Sequence, residues 1–237
     1  MLDKPYSLGP YNKFDDKEQW IRITEGCPHN CPFCYEPQEM KVFEIPEIVR
    51  NDVKIIDMNL LAHPEALEII RELGKKRVNG KVVYYHLVCG IDYRFLTPEI
   101  AKALKEARFV DISIAWDWAY TDQYRLKDAI KMLLDAGYRP ENITVFMICN
   151  WKVSFEENIL KLDLCKVWNV KAADCYYDNQ VSPNIKPIHW TREEIRAFRR
   201  IVRKHNQLVN FKADPEITPS NSVQTRLEIQ QREGVLS

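Results

Sequence analysis

The sequence predicts an α/β fold, a partial (β/α)6 barrel of parallel strands over residues 20–206, with a short N-terminal arm (1–19) and a C-terminal extension (207–237). Three observations carry this expectation. Six short runs rich in Val, Ile and Tyr recur along the chain, helix signals with readable caps lie between them, and a polar residue closes nearly every run. Strands alternating with helices imply parallel pairing joined by right-handed crossovers.

The strand candidates are WIRIT (20–24), VKIIDMN (53–59), VVYYHLV (82–88), VDISIAW (110–116), ITVFMICN (143–150) and VKAADCYY (170–177). The first connection, 35–52, carries weak signals and reads as a loop with one short helix around 46–51. A helix over 64–77 sets Ala66, Leu67, Ile70 and Leu73 on one face. Thr97 before Pro98 is a hydroxyl cap ahead of a first-turn proline. Gly137 stands where a glycine would stop a helix over 122–136. Ser154 with Glu157, and Thr191 with Glu194, read as capping boxes. The helix 192–206 joins an apolar stripe (Ile195, Phe198, Ile201, Val202) to a basic surface that includes Arg196, Arg199, Arg203 and Lys204. That surface reads first as a solvated face, and second as a contact for RNA, DNA or a redox partner. Residues 207–237 are polar and weakly periodic.

Lys plus Arg and Asp plus Glu number 34 each, so no global field pulls the chain toward nucleic acid or anionic lipid. No apolar run approaches the roughly 20 residues of a membrane span. The polar, acid-bearing start MLDKPYSLGPYNKFDDKEQW does not read as a secretory leader, so a cytoplasmic location with reduced thiols is expected. Of seven cysteines, Cys89, Cys149, Cys165 and Cys175 are scattered and three are clustered. That pattern argues against a disulfide framework and for metal or cluster chemistry at one place.

Parallel α/β folds bind ligands at the carboxyl ends of their strands. Here those ends carry Thr24-Glu25-Gly26, Asp57 and Asn59, Cys89 to Asp92, Asp117, Asn150, and Tyr176 to Asn179. In DISIAWD, Ile112, Ile114 and Trp116 share one face, while Asp111, Ser113, Ala115 and Asp117 share the other. A small, polar inner face suggests a lumen that holds a ligand. Asp92 and Arg94 read as an ion pair of that lumen or of a loop.

The clustered cysteines fall in GCPHNCPFCY, where Cys27, Cys31 and Cys34 form C-x3-C-x2-C. Thiolates suit iron–sulfur clusters or zinc. A four-iron cluster usually takes four cysteines, so three leave one iron open to a chelator. The alternative is a non-catalytic zinc-binding protein, with a structural site that His29 could complete as Cys3His.

With Phe33 just before the third cysteine, and the motif just after the first strand of a six-fold βα pattern, the chain resembles the radical SAM superfamily over roughly residues 20 to 180. The resemblance implies a [4Fe–4S] cluster on Cys27, Cys31 and Cys34, with S-adenosyl-L-methionine on the fourth iron. It implies that Phe33 and Tyr35 flank the adenine or the cluster. Where the family often shows Gly-Gly-Glu against the methionine amine, this chain has Asp57-Met58-Asn59, making Asp57 or Asn59 the candidate contact. Asp117 or Ser113 would meet the ribose, and Asn150 the adenine or ribose. An electron donor such as flavodoxin or ferredoxin is implied. So is a 5′-deoxyadenosyl radical that takes hydrogen from a nucleotide or nucleic-acid base, or from a small metabolite or peptide.

Overall fold

The computed structural model describes residues 8–29, 31–34, 36–117, 120–176 and 190–211. Along the chain run β1 (Tyr11–Phe14), β2 (Gln19–Arg22), β3 (Thr24–Glu25), β4 (Lys41–Val42), β5 (Asp52–Ile55), β6 (Arg77–Val78), β7 (Lys81–Val82), β8 (Tyr84–Leu87), β9 (Ile112–Ala115), β10 (Ile143–Cys149) and β11 (Lys171–Tyr176). The helices are α1 (Ala66–Lys75), α2 (Pro98–Glu106), α3 (Gln123–Asp135), α4 (Phe155–Val167) and α5 (Arg192–Phe211).

The fold is mixed α/β with parallel sheets. The six expected strands are β2, β5, β8, β9, β10 and β11. The first three pair in parallel in that order, and β9, β10 and β11 form a second parallel sheet. Isolated parallel bridges, Tyr85 to Phe109 and Ile91 to Ile114, join the two sheets, so the strands follow one another in sequence order. The arm contributes β1, which pairs antiparallel with β2 and makes the outer edge of the first sheet.

Apolar periodicity explains the packing. Ile21, Ile23, Val53, Ile55, Val145 and Met147 are fully buried in the sheets. Helix α1 buries Ala66, Ile69, Ile70 and Leu73, and α3 buries Leu126, Ala129, Ile130 and Leu133. Each of the larger of these side chains contributes about 1.5–3 kcal/mol of transfer free energy. The caps form as the residue types dictate. Thr97 accepts from the Ile100 N–H at 3.2 Å and Ser154 from the Glu157 N–H at 3.1 Å. Thr191 accepts from the Glu194 N–H at 3.2 Å, while Glu194 accepts the Thr191 N–H at 2.6 Å. Gly137, at φ +93°, ends α3.

No helix forms around 46–51. Pro46 disfavours helical backbone at the residue before it. The segment instead lies along the sheet, where the Gln19 side chain donates to the Glu47 carbonyl at 2.9 Å and accepts the Val49 N–H at 2.8 Å. The final helix runs to Phe211, five residues past its expected end. It covers the edge of β11. The Asn206 amide exchanges two hydrogen bonds with the Ala172 backbone, at 2.9 and 2.7 Å, as a neighbouring strand would. Arg196, Arg199, Arg203 and Lys204 are on its outer side. Most of the C-terminal extension, the first residues of the arm, and Tyr35, Tyr177, Asp178 and Asn179 lie outside the described residues. Among the described residues, no helix is long and apolar enough to cross a membrane.

Candidate active site

The cysteine loop leaves β3 through Gly26, whose φ of +100° favours glycine; a Cβ there would sit 2.2 Å from the Glu39 carbonyl oxygen. Two bonds tie the loop's base. The Gly26 N–H donates to Glu36 Oε1 at 2.7 Å, and the Cys27 N–H to the Pro37 carbonyl at 2.9 Å. The antiparallel pair of β3 and β4 closes the loop behind them. Within it, the Cys34 N–H donates to the Cys31 carbonyl at 3.1 Å, a tight turn that brings two of the thiols to one side. Cys27 is buried, Cys31 and Cys34 are half-buried, and none of the three is in a disulfide.

These thiols line one pocket with His29, Phe33, Glu36, Met58, Asn59, Cys89, Asp92, Arg94, Ala115 and Asp117, among others. The strands explain the convergence. Parallel pairing puts the ends of β5 and β8 side by side, with Ile55 opposite Leu87. Asn59 and Asp92 each follow such an end, at the start of a short 3-10 turn. Ala115 closes β9 from the second sheet, two residues before Asp117.

Asp92 is the hub of the pocket's polar groups. Arg94 grips it through Nε and Nη2, each at 2.7 Å, and through its backbone N–H at 3.0 Å. His29 Nε2 lies 3.1 Å from Asp92 Oδ2, with its ring 5.3 Å from that of Phe95. Asn59 Nδ2 stands 3.3 Å from Asp92 Oδ2 and 3.3 Å from Cys27 Sγ. The Glu36 N–H reaches Cys34 Sγ at 3.4 Å. Phe33 packs edge-on against Trp151, centroids 5.7 Å apart, just past the end of β10.

Burial, followed by repulsion from Cys34 and Cys27, pushes the Cys31 thiol up to about 11. A metal bound there displaces a proton. Burial also raises Cys89 to about 11 and Asp117 to about 6, with Lys161 the main opposing influence on Asp117. Lys161 is fully buried on α4, its ammonium 5.2 Å from the Trp116 ring centroid, and burial lowers it to about 8.

Of the residues singled out from the sequence, Cys27, Cys31, Cys34, Phe33, Asn59 and Asp117 come together in this pocket. Asp57, Ser113 and Asn150 do not line it. Asp57 turns back onto the first strand. It accepts from the Ile23 N–H at 2.9 Å, and from the Thr24 N–H and hydroxyl at 2.7 Å each. Burial holds its carboxyl up at about 6 against those bonds. Ser113 is buried in β9, where its carbonyl accepts the Ile91 N–H at 2.7 Å. Asn150 follows β10 with φ +58°.

Sequence reasoning missed Glu36 and Lys161. The chain offers no signal for Glu36. Lys161 had one, because Asn158, Lys161, Leu162 and Cys165 share the buried stripe of α4, and a lysine on such a stripe marks an unusual site. Cys149 and Cys165 are core residues.

The donor set fits an iron–sulfur cluster. Three thiols leave one short loop, two N–H groups point at their sulfurs, and buried Asn59 Oδ1 has no hydrogen-bond partner among the described residues.

No protein-family model matches the chain. A curated relative, the ribosomal protein uS12 methylthiotransferase RimO of Synechocystis sp. (strain ATCC 27184 / PCC 6803 / Kazusa), is 23% identical across 42% of this chain and 26% of its own length. The structure is similar to that of the radical S-adenosylmethionine methyltransferase TsrM from Kitasatospora setae, solved with cobalamin and a [4Fe–4S] cluster bound. The TM-score is 0.52 and the identity 12%, over 66% of this chain and 36% of that one. Coproporphyrinogen III oxidase (HemN) from Escherichia coli, a radical SAM enzyme, matches at a TM-score of 0.49 and 11% identity over 67% and 40%. The chain thus spans about a quarter of the curated relative and 36% to 40% of the two solved chains. The fold is similar to that of the radical S-adenosylmethionine methyltransferase TsrM, and the three-cysteine motif stands in a pocket at the strand ends.

Proposed function

We propose that this protein is a radical SAM enzyme whose six parallel strands form a partial barrel. The observation that carries the reading is the shared pocket: three cysteines of one loop face Asn59 and Asp117 from two different strand ends. Cys27, Cys31 and Cys34 would hold a [4Fe–4S] cluster, which, reduced by a donor such as flavodoxin or ferredoxin, would supply the one electron for cleaving S-adenosylmethionine to methionine and a 5′-deoxyadenosyl radical, the species that would take hydrogen from the substrate.

The chain's own residues place the reactants. Asn59 Oδ1, a buried acceptor with no internal partner, receives the methionine amine. Asp117, ionised above about pH 6, accepts from the ribose hydroxyls. Phe33, with its edge contact to Trp151, and Tyr35 border the adenine. Asp57 braces the end of the first strand, from which the cysteine loop leaves. The substrate is a nucleotide or nucleic-acid base, reached in part by the basic face of α5, or a small metabolite or peptide. The protein works in the cytoplasm, where its thiols stay reduced.

The test is anaerobic purification, reconstitution with iron and sulfide, reduction, and assay for 5′-deoxyadenosine after adding S-adenosylmethionine. The nucleoside appears with the native chain and vanishes in the Cys27→Ala, Cys31→Ala, Cys34→Ala variant. One bound zinc and no deoxyadenosine would sink the enzyme reading and leave the cysteines as a structural clasp.

A further inference from the structure

Resting on the cluster reading above, we propose that Asn59 tunes the iron–sulfur centre: its side-chain N–H, aimed at Cys27 Sγ by Asp92, raises the centre's reduction potential. Cys27, Asn59 and Asp92 are all buried, and Asn59 Nδ2 stands 3.3 Å from both the thiol sulfur and the carboxylate oxygen.

The neighbours of an amide side chain decide which way it faces. Asp92, gripped by the Arg94 guanidinium at 2.7 Å through each of two nitrogens, is a carboxylate that can only accept. An acceptor on that side demands the amide nitrogen. Turned over, Asn59 would press its oxygen against a carboxylate oxygen and a thiolate sulfur, all electron-rich, where little water can intervene. The nitrogen carries two hydrogens, one for each partner. The same choice leaves Oδ1 buried and unpartnered.

Reducing the centre adds negative charge that the thiolate sulfurs share. A donor bonded to a sulfur stabilises the reduced form more than the oxidised one, and so raises the potential. The Glu36 backbone N–H acts in the same sense on Cys34, but no side-chain substitution removes it. Asn59 is therefore a donor that a single replacement can delete. Asp92 acts through Asn59, as a positioning residue.

The experiment uses the full chain, reconstituted anaerobically and held without S-adenosylmethionine, so that cosubstrate binding plays no part. Iron and sulfide are counted first. The midpoint potential is then read by an EPR-monitored redox titration, and the Fe–S(Cys) stretching bands by resonance Raman in H2O and D2O. Asn59→Leu and Asn59→Asp are expected to load as the native chain does. Both should titrate at a more negative potential, Asn59→Asp further than Asn59→Leu, and both should lose part of the deuterium sensitivity of the Fe–S(Cys) bands. A loaded Asn59→Leu variant with an unchanged or more positive potential would overturn the proposal. Loss of the cluster from both variants would overturn it as well, by making Asn59 a requirement for holding the cluster. If only Asn59→Leu loads, its potential decides; if only Asn59→Asp loads, the deuterium sensitivity of its Fe–S(Cys) bands decides, because its added charge lowers the potential by itself, and an undiminished sensitivity would overturn the proposal. A native chain that takes up no iron and sulfide would instead bring down the cluster reading itself, before any potential is measured.

Discussion

Replacing Gly26 by alanine makes two demands on the cysteine loop at once. The backbone at φ +100° must hold a side chain, which costs on the order of 1–2 kcal/mol. The new Cβ must also find room, because it would start 2.2 Å from the Glu39 carbonyl oxygen, where ordinary contact begins near 3.4 Å. That carbonyl would have to retreat by about 1 Å, far enough to break hydrogen bonds of normal length. Two bonds at the loop's base lie in its path, Gly26 N–H to Glu36 at 2.7 Å and Cys27 N–H to Pro37 at 2.9 Å. Each buried group left unpaired costs about 1–3 kcal/mol. The total is on the order of 3 kcal/mol or more, equivalent to a fall in Tm of roughly 6 °C or more for a chain of this size.

Opening the loop is the least costly relief, and it separates Cys27 from Cys31 and Cys34. Gly80 is the matched control. It has φ +75°, and no atom lies within 4 Å of the place a methyl would take, so Gly80→Ala meets the backbone cost alone. Reconstitution followed by iron and sulfide assay and thermal melting gives the readout. Gly26→Ala should lose most of its iron and melt well below Gly80→Ala, which should load normally. Equal loading and equal melting of the two variants would refute the steric reasoning.

Asp57→Ala removes the acceptor for three buried donors, so a net loss on the order of 3 kcal/mol should appear as a lower urea midpoint; an unchanged midpoint would mean that these donors find other partners. Burial raises the Asp117 carboxyl from 3.8 to about 6, so the folded chain binds that proton more tightly than the unfolded one, and this group's contribution to stability grows as pH falls through that window. Affinity for S-adenosylmethionine should weaken over the same window in the native chain and stay flat in Asp117→Asn, as calorimetry can establish; a flat native profile would remove Asp117 from the cosubstrate contact. Thr191→Ala deletes the hydroxyl of the α5 capping box and should cost about 1 kcal/mol, or roughly 2–4 °C in Tm, which scanning calorimetry resolves.

The strands and helices were legible because local chemistry specifies them. Val- and Ile-rich runs became β2, β5, β8, β9, β10 and β11, and the hydroxyl caps at Thr97, Ser154 and Thr191 stand as their residue types require. The segment 46–51 was not legible, because its partner is the Gln19 side chain, 28 to 30 residues away. The candidate site divides in the same way. Spacing marked the cysteines, and strand-end position brought Asn59 and Asp117 to the pocket with them. Strand-end position also nominated Asp57, yet two residues of difference along an irregular stretch decide whether a side chain faces the pocket or the strand behind it. The Asp92–Arg94 pair was legible because the two residues are two positions apart, but the hub role of Asp92 also depends on His29 and Asn59 arriving from separate stretches of chain, which no single run of sequence encodes.

Among the described residues, the backbone pairing between the two parallel sheets consists of isolated bridges at Tyr85 and Ile91, where continuous ladders run on either side. The line between β8 and β9 is the natural place for the sheet to breathe. The pocket straddles this seam, with the thiols and Asn59 on one bank and Ala115 and Asp117 on the other. A cosubstrate held from both banks would work as a crosspiece, and its binding free energy would be added to the cost of parting them. Loading the pocket and stiffening the sheet would then be one event, recorded in slowed hydrogen exchange at the Ile91, Val110 and Ala115 amides that cross the gap.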